Sequence, residues 1–212
     1  MNEPPQLVIG PVRPSDRARV AEVLRSTENF RDGEIDVALE LFDASFSGED
    51  YVFLGAFHHR ASAGARDQRA DGNRESSYEL ETSSPIPHSP RPPAAGTRPV
   101  PDLIGFACYG ATPATDRTYD LYWIAVDRNA QGSGCGSRLL VEVERRLEAL
   151  HARMLVVETS SRSDYTATRT FYVRRGYVEA ARVREFYAPA DDRIILTKRL
   201  AGSPRRGWGA VA

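Results

Sequence analysis

The stretch that most limits how this chain can fold is residues 121–150, LYWIAVDRNAQGSGCGSRLLVEVERRLEAL. Leu121 to Val126 is an aromatic and β-branched run, the composition of a buried strand. Asp127 to Ala130 is a short polar turn. Beyond Gly136, apolar residues recur at Leu139, Leu140, Val143, Leu147 and Leu150, the spacing of one helical face. A strand that passes through Gln131-Gly132-Ser133-Gly134-Cys135-Gly136 into a helix sets up an anion site. Glycine lets the backbone take unusual dihedrals and come close to a ligand. The first-turn N–H groups have no partner inside the helix, and the macrodipole favours negative charge there. Three glycines in five residues exceed the needs of a turn, since each costs roughly 0.5–1 kcal/mol relative to alanine where the backbone has no use for it. The turn is expected to hold a phosphate-bearing ligand.

Two common phosphate motifs fail here. A P-loop needs Lys-Ser/Thr where this chain has Ser137-Arg138, and G-x-G-x-x-G fails because Ser137 occupies its last glycine position. What fits is Q-x-x-G-x-G, from Gln131 through Gly134 to Gly136. This resembles the acetyl-coenzyme A signature of the GNAT superfamily of N-acetyltransferases, (R/Q)-x-x-G-x-(G/A). A second stretch, Tyr165 to Tyr177 (YTATRTFYVRRGY), is similar to that superfamily's N-x-x-A-x-x-F-Y-x-x-x-G-F. Phe171, Tyr172, Gly176 and Tyr177 match; Tyr165 stands in the Asn position and Thr168 in the Ala position. The order from Glu158 to Tyr177, followed by FYAPADD at 186–192, resembles a bacterial subgroup of these acetyltransferases.

The resemblance implies a set of roles. Main-chain N–H groups of Gln131, Gly132, Ser133, Gly134, Cys135, Gly136 and Ser137 would hold the pyrophosphate of acetyl-CoA. The backbone of Ile124, Ala125 and Val126 would pair with the pantetheine arm, and an N–H there can polarise the thioester carbonyl. Tyr172 would protonate the departing thiolate, since a phenol near pKa 10 carries its proton at neutral pH. The asparagine contact to the coenzyme is in doubt, because Tyr165 takes its place. For a base there are two candidates: Asp120, which simple alternation puts on the same face as Ile124 and Val126, and Glu158, at the end of the neighbouring strand where ligand-facing residues gather. Either can accept the ammonium proton through water. The function expected is acetyl-CoA-dependent N-acetylation of an amine by direct attack in a ternary complex. The alternative is a non-catalytic acyl-CoA-binding or regulatory module, supported by the departures at Tyr165 and Thr168.

Around this centre the sequence reads as one mixed α/β domain over residues 1–201. Leu7–Ile9 is a strand, and Ser15 or Asp16 is placed to cap a helix that buries Val20, Val23 and Leu24. Gly33–Ala44 is a second helix; Phe30, Glu34 and Glu40 are acceptor-pocket candidates by the resemblance. Tyr51–Phe57 and Leu103–Tyr109 are strands expected to pair antiparallel. Met154–Glu158 should lie parallel to Tyr119–Val126 by a right-handed crossover. A short helix around Ala167–Arg174 ends at Gly176. Tyr177–Val183 and Arg193–Leu200 form a last antiparallel pair, with Arg184–Asp192 a loop at the active-site mouth. The expected sheet is therefore mostly antiparallel with one parallel pair, flanked by helices, the GNAT fold. Residues 60–100 are rich in Pro, Ser and Arg and cannot build a core, so a disordered insertion is expected there. Residues 202–212 read as a flexible tail.

Composition excludes some partners. A net charge of −1 supplies no field for nucleic acid. Two cysteines, Cys108 and Cys135, make neither a disulfide framework nor a metal site, and no metal is expected. MNEPPQLVIG lacks an export pattern and no run reaches 18 apolar residues, so no membrane contact and a cytoplasmic location are expected. The acceptor is left as a small amine or a protein amine, and a homodimer through a sheet edge is compatible with the resemblance.

Overall fold

A computed structural model describes residues 6–48, 50–59 and 102–201. The insertion expected at about 60–100 and the tail at 202–212 lie outside the described residues. In chain order the elements are β1 (Gln6–Pro11), α1 (Arg17–Ser26), α2 (Asp32–Ala44), β2 (Tyr51–His59), β3 (Asp102–Ala111), β4 (Thr118–Val126), α3 (Cys135–Ala149), β5 (Met154–Ser160), α4 (Thr166–Val173), β6 (Val178–Ala188) and β7 (Asp191–Arg199). The strands form one seven-stranded sheet ordered β1-β2-β3-β4-β5-β7-β6. Every pairing is antiparallel except β4–β5. This is the mixed sheet with one parallel pair that the sequence predicts.

Each face of the sheet carries its own apolar layer. One is built around α3, whose Cys135, Leu139, Leu140, Val143 and Leu147 are buried against Leu54, Ile104, Leu121, Leu155 and Ile194. Burying each leucine stabilises the fold by about 1.5–3 kcal/mol. Leu150 does not join them: the helix stops at Ala149 and Leu150 is 58% exposed. The opposite face carries α1 and α2, which bury Val20, Leu24, Ile35 and Phe42 against Phe53, Phe106 and Cys108.

Both helices on that face start by the same device, and it differs from the expected cap. Asp16 ends a 3-10 turn, Pro14–Asp16, and its carboxylate accepts from the Arg13 N–H at 2.8 Å. Glu34 does the same for the Arg31 N–H, also at 2.8 Å. In each case the acid sits three residues inside the turn and reaches back to an orphan donor. Glu34 is thereby engaged in starting α2, and Glu40 is exposed on the same helix.

Two further expectations are corrected. Residues 184–192 are mostly not a loop: β6 runs on to Ala188 and β7 begins at Asp191, leaving a tight connection with Ala190 at φ 62°. The other correction concerns β4. Its register with β3 pairs Tyr109 with Leu121 and Cys108 with Trp123, so Tyr122 is an extra, bulged residue. Side-chain alternation therefore changes phase across it. Tyr119 and Leu121 pack with α3, and so do Ile124 and Val126, while Trp123 and Ala125 pack with α1 and α2. Asp120 consequently lies on the opposite face from Ile124 and Val126.

Candidate active site

The parallel ladder between β4 and β5 covers only Thr118–Leu121 against Met154–Val157. Both strands continue past it, β4 to Val126 and β5 to Ser160, with no further pairing to each other. β4 stays bonded to β3 through Val126, and β5 stays bonded to β7 through Ser160. The sheet thus opens into a wedge along Tyr122–Val126. Main-chain groups on that edge need partners. Among the described residues the one supplied by a side chain is weak: Gln131 Nε2 donates to the Val126 carbonyl at 3.3 Å.

At the end of β4 the backbone is pinned before it turns. The Asp127 N–H donates to the Ile104 carbonyl at 2.8 Å. The Asp127 carboxylate, 6% exposed, accepts from the Asn129 N–H at 2.9 Å and from Arg19 Nη2 of α1 at 2.8 Å. The chain then runs through Gly132 (φ 78°) and Gly134 (φ 84°), both in the left-handed region that favours glycine. Gly134 is the residue before α3. Among the described residues, the N–H groups of Cys135, Gly136 and Ser137 have no main-chain acceptor, and the Arg138 N–H is the first to bond, to the Gly134 carbonyl at 3.0 Å. Three donors converge beside the mouth of the wedge. Gly105 makes this closeness possible, since a Cβ there would lie 2.9 Å from the Ala125 carbonyl oxygen and 3.2 Å from Cys135 Sγ. Burial pushes the Cys135 thiol up to about 11, with Arg138 pulling slightly the other way, so it is no nucleophile at neutral pH.

Tyr172 lies on α4, on the α3 side of the sheet, and is 3% exposed. Its ring meets Phe171 and Tyr177 edge-on, at centroid distances of 5.1 and 5.3 Å. Burial raises its phenol well above the ordinary value, while Arg175 draws it back a little. It therefore keeps its proton over the whole neutral range. Arg175 joins α4 to the first turn of α3: it donates to the Phe171 carbonyl at 2.7 Å and to Ser137 Oγ, and its guanidinium stacks 3.7 Å from the Phe171 ring centre.

The two carboxylate candidates lie on the far side of the wedge. Asp120 accepts from Thr112 Oγ1 at 2.7 Å. Glu158 faces away from the buried Leu155 and Val157 of its own strand and is ion-paired with Arg193 of β7. The Tyr122 phenol, edge-on to Tyr51 at 5.5 Å, is pushed up to about 12 by burial, with Asp120 and Tyr51 adding to it. Tyr165, in the Asn position of the motif, points elsewhere: its hydroxyl donates to the Asn29 carbonyl at 2.9 Å, tying the start of α4 to the loop between α1 and α2. Sequence reasoning missed the bulge, Arg175 and Arg193. Nothing in a single sequence distinguishes those arginines from the many others.

The comparisons with known proteins bear on this geometry. The acetyltransferase (GNAT) domain model matches residues 100–179, which hold the wedge, the glycine turn and α4. A crystal structure from Desulfovibrio desulfuricans, assigned to the GNAT family of acetyltransferases, is 33% identical, with a TM-score of 0.68. The match covers 92% of this chain and all (100%) of that one. The chain is a GNAT-family N-acetyltransferase. Two more distant structures share the fold. The ribosomal-protein-S18-alanine N-acetyltransferase from Escherichia coli is 17% identical, with a TM-score of 0.62 over 96% of this chain and 100% of that one. The PaiA N-acetyltransferase from Thermoplasma acidophilum, in complex with coenzyme A, is 16% identical, with a TM-score of 0.56 over 92% and 99%. No curated protein matches the sequence.

Within this acetyltransferase the three glycines of the turn are not equivalent. Gly134→Ala forces a left-handed conformation on a side chain and is expected to cost about 1 kcal/mol. At Gly136 a Cβ would meet Val126 Cγ2 at 3.6 Å and the Phe171 ring at 3.7 Å, ordinary contact distances. Gly136→Ala should then stay within about 0.5 kcal/mol of the parent. Urea unfolding of the two variants checks the difference.

Proposed function

We propose that this N-acetyltransferase takes its acetyl group from acetyl-CoA and passes it to an amine by direct attack. The observation that carries this reading is the wedge between β4 and β5, opening beside three unpaired N–H groups at the start of α3. A diphosphate suits those donors and the positive end of the helix. The pantetheine arm would bond the edge of Ile124, Ala125 and Val126, as an added strand does. Arg175 supports the same ligand. A guanidinium at a helix N-terminus opposes the macrodipole, and a polyanion there turns that opposition into attraction.

The wedge passes between the two faces of the sheet, which gives the acid and the base separate sides. The amine would approach from the face of Asp120 and Glu158, lose its proton to one of them through water, and attack the thioester carbon. The new C–N bond forms first, giving a tetrahedral adduct, and the C–S bond then breaks. The thiolate leaves on the α3 and α4 face, where Tyr172 gives it a proton, and the second proton shed by the amide nitrogen goes to water, from which the phenol is restored. Main-chain N–H groups near Ile124 would stabilise the oxyanion between these events.

Calorimetric titration of the full chain with acetyl-CoA tests the donor, and thiol release across an amine panel tests the transfer. Saturable heat and amine-dependent release are expected; absence of both with folded protein defeats the reading. Arg175→Ala should weaken acetyl-CoA roughly 10-fold, the loss of one charge-assisted contact.

A further inference from the structure

Arg193 occupies an unusual position for a cation. It sits on β7, on the same side of the sheet as Asp120 and Glu158, next to the wedge where the amine would arrive. Its guanidinium lies 4.8 Å from the Phe186 ring centre, which fixes its plane. Of its three nitrogens only Nη2 has a partner among the described residues, the carboxylate of Glu158. Nε is buried and has no hydrogen-bond partner among the described residues. An ionised donor left unpaired in a partly buried place is costly. Asp120 and Tyr187 are close enough to act on it electrostatically without bonding it. The face thus holds Asp120 and Glu158, with Asp191 and Glu34 near enough to act on the neighbouring Tyr187, around one under-used guanidinium. A simple cationic amine would satisfy the carboxylates and leave the fork unsatisfied.

We propose that Arg193 recognises a carboxylate on the acceptor, so that the acceptor is a zwitterion of the free amino acid class, its amine toward Asp120 and Glu158. This rests on the acetyl-transfer reading above and narrows it to a substrate class. Phe186 holds the guanidinium plane while Glu158 takes one edge, leaving the remaining donors for the acceptor. Arg193 is then a specificity residue that touches the acceptor and takes no part in proton transfer.

The test compares the full chain with free amino acids, the corresponding amino acid amides and the corresponding decarboxylated amines, reading thiol release from acetyl-CoA. Free amino acids are expected to exceed both by roughly 10–100-fold in kcat/KM, the value of a charged hydrogen-bonded contact. Arg193→Gln should erase that preference, and Arg193→Lys, which keeps the charge and loses the fork, should erase most of it. Calorimetry with acetyl-CoA should give the parent's affinity in both. Equal turnover of the amides or amines by the parent overturns the proposal, as does a preference that survives in Arg193→Gln. So does acetyl-CoA binding with no free amino acid accepted. Failure of acetyl-CoA to bind at all is a different result and strikes the donor assignment instead.

Discussion

Tyr172→Phe is expected to lower kcat by roughly 10²–10⁴-fold, the usual value of a positioned proton donor. Acetyl-CoA affinity should hardly change, because the coenzyme contacts assigned above are main-chain groups and Arg175. The packing should survive too: the ring is wedged between Phe171 and Tyr177, and phenylalanine keeps that ring. Stopped assays of thiol release beside calorimetric titration separate the two effects. The raised phenol adds a signature in stability. With its folded pKa above its unfolded pKa, the folded chain holds the extra proton between the two values. Stability is therefore full below the unfolded value of about 10 and falls as pH rises beyond it. Tyr172→Phe removes that contribution, so its alkaline unfolding limb should be shallower than the parent's.

Asp127→Ala should produce the largest loss of stability, about 2–3 kcal/mol. Asp127 is buried, accepts from the Asn129 N–H and binds Arg19 of α1. Arg19 in turn donates to the Leu103 carbonyl at 2.9 Å, so one arginine joins α1 to both β3 and the end of β4. Removing one partner of a fully buried ion pair costs about 3–5 kcal/mol; the figure here is lower because Arg19 keeps 30% of its side chain exposed and stays paired with Glu22 at 3.0 Å and Asp102 at 3.6 Å. Asp127→Asn retains an acceptor for Asn129 and should lose about 1–2 kcal/mol. Urea unfolding measures both. A change in coenzyme affinity should accompany the loss, since Asp127 anchors the residues immediately before the glycine turn.

Much of this molecule is legible in its sequence because local rules decide it. Leu139, Leu140, Val143 and Leu147 announce α3 by their spacing, and all four are buried. Gly132, Gly134 and Gly176 stand where the backbone takes positive φ. What the sequence hides depends on partners far along the chain. The bulge at Tyr122 exists only relative to β3, and without it alternation puts Asp120 on the wrong face. The hairpin at 184–192 looks like a loop because Pro189 and the pair Asp191–Asp192 interrupt any regular apolar pattern, yet an edge strand needs no such pattern: β6 is exposed nearly throughout. The bond of Glu34 to the Arg31 N–H, which starts α2, shows only in the structure. Arg193 becomes informative only when Glu158, Phe186 and its own unbonded nitrogen are placed around it.

The order of strands has a consequence for how the enzyme is made. β7 is flanked by β5 and β6 in space, yet it follows both in the chain. A growing polypeptide has β5 ready while the strand that will bond its other edge is still unsynthesised, so β5 hangs on its short parallel ladder alone. No half-made chain can offer a finished cleft. Competence arrives late and at once, when Asp191–Arg199 docks on β5 and brings with it β6, whose only strand partner is β7.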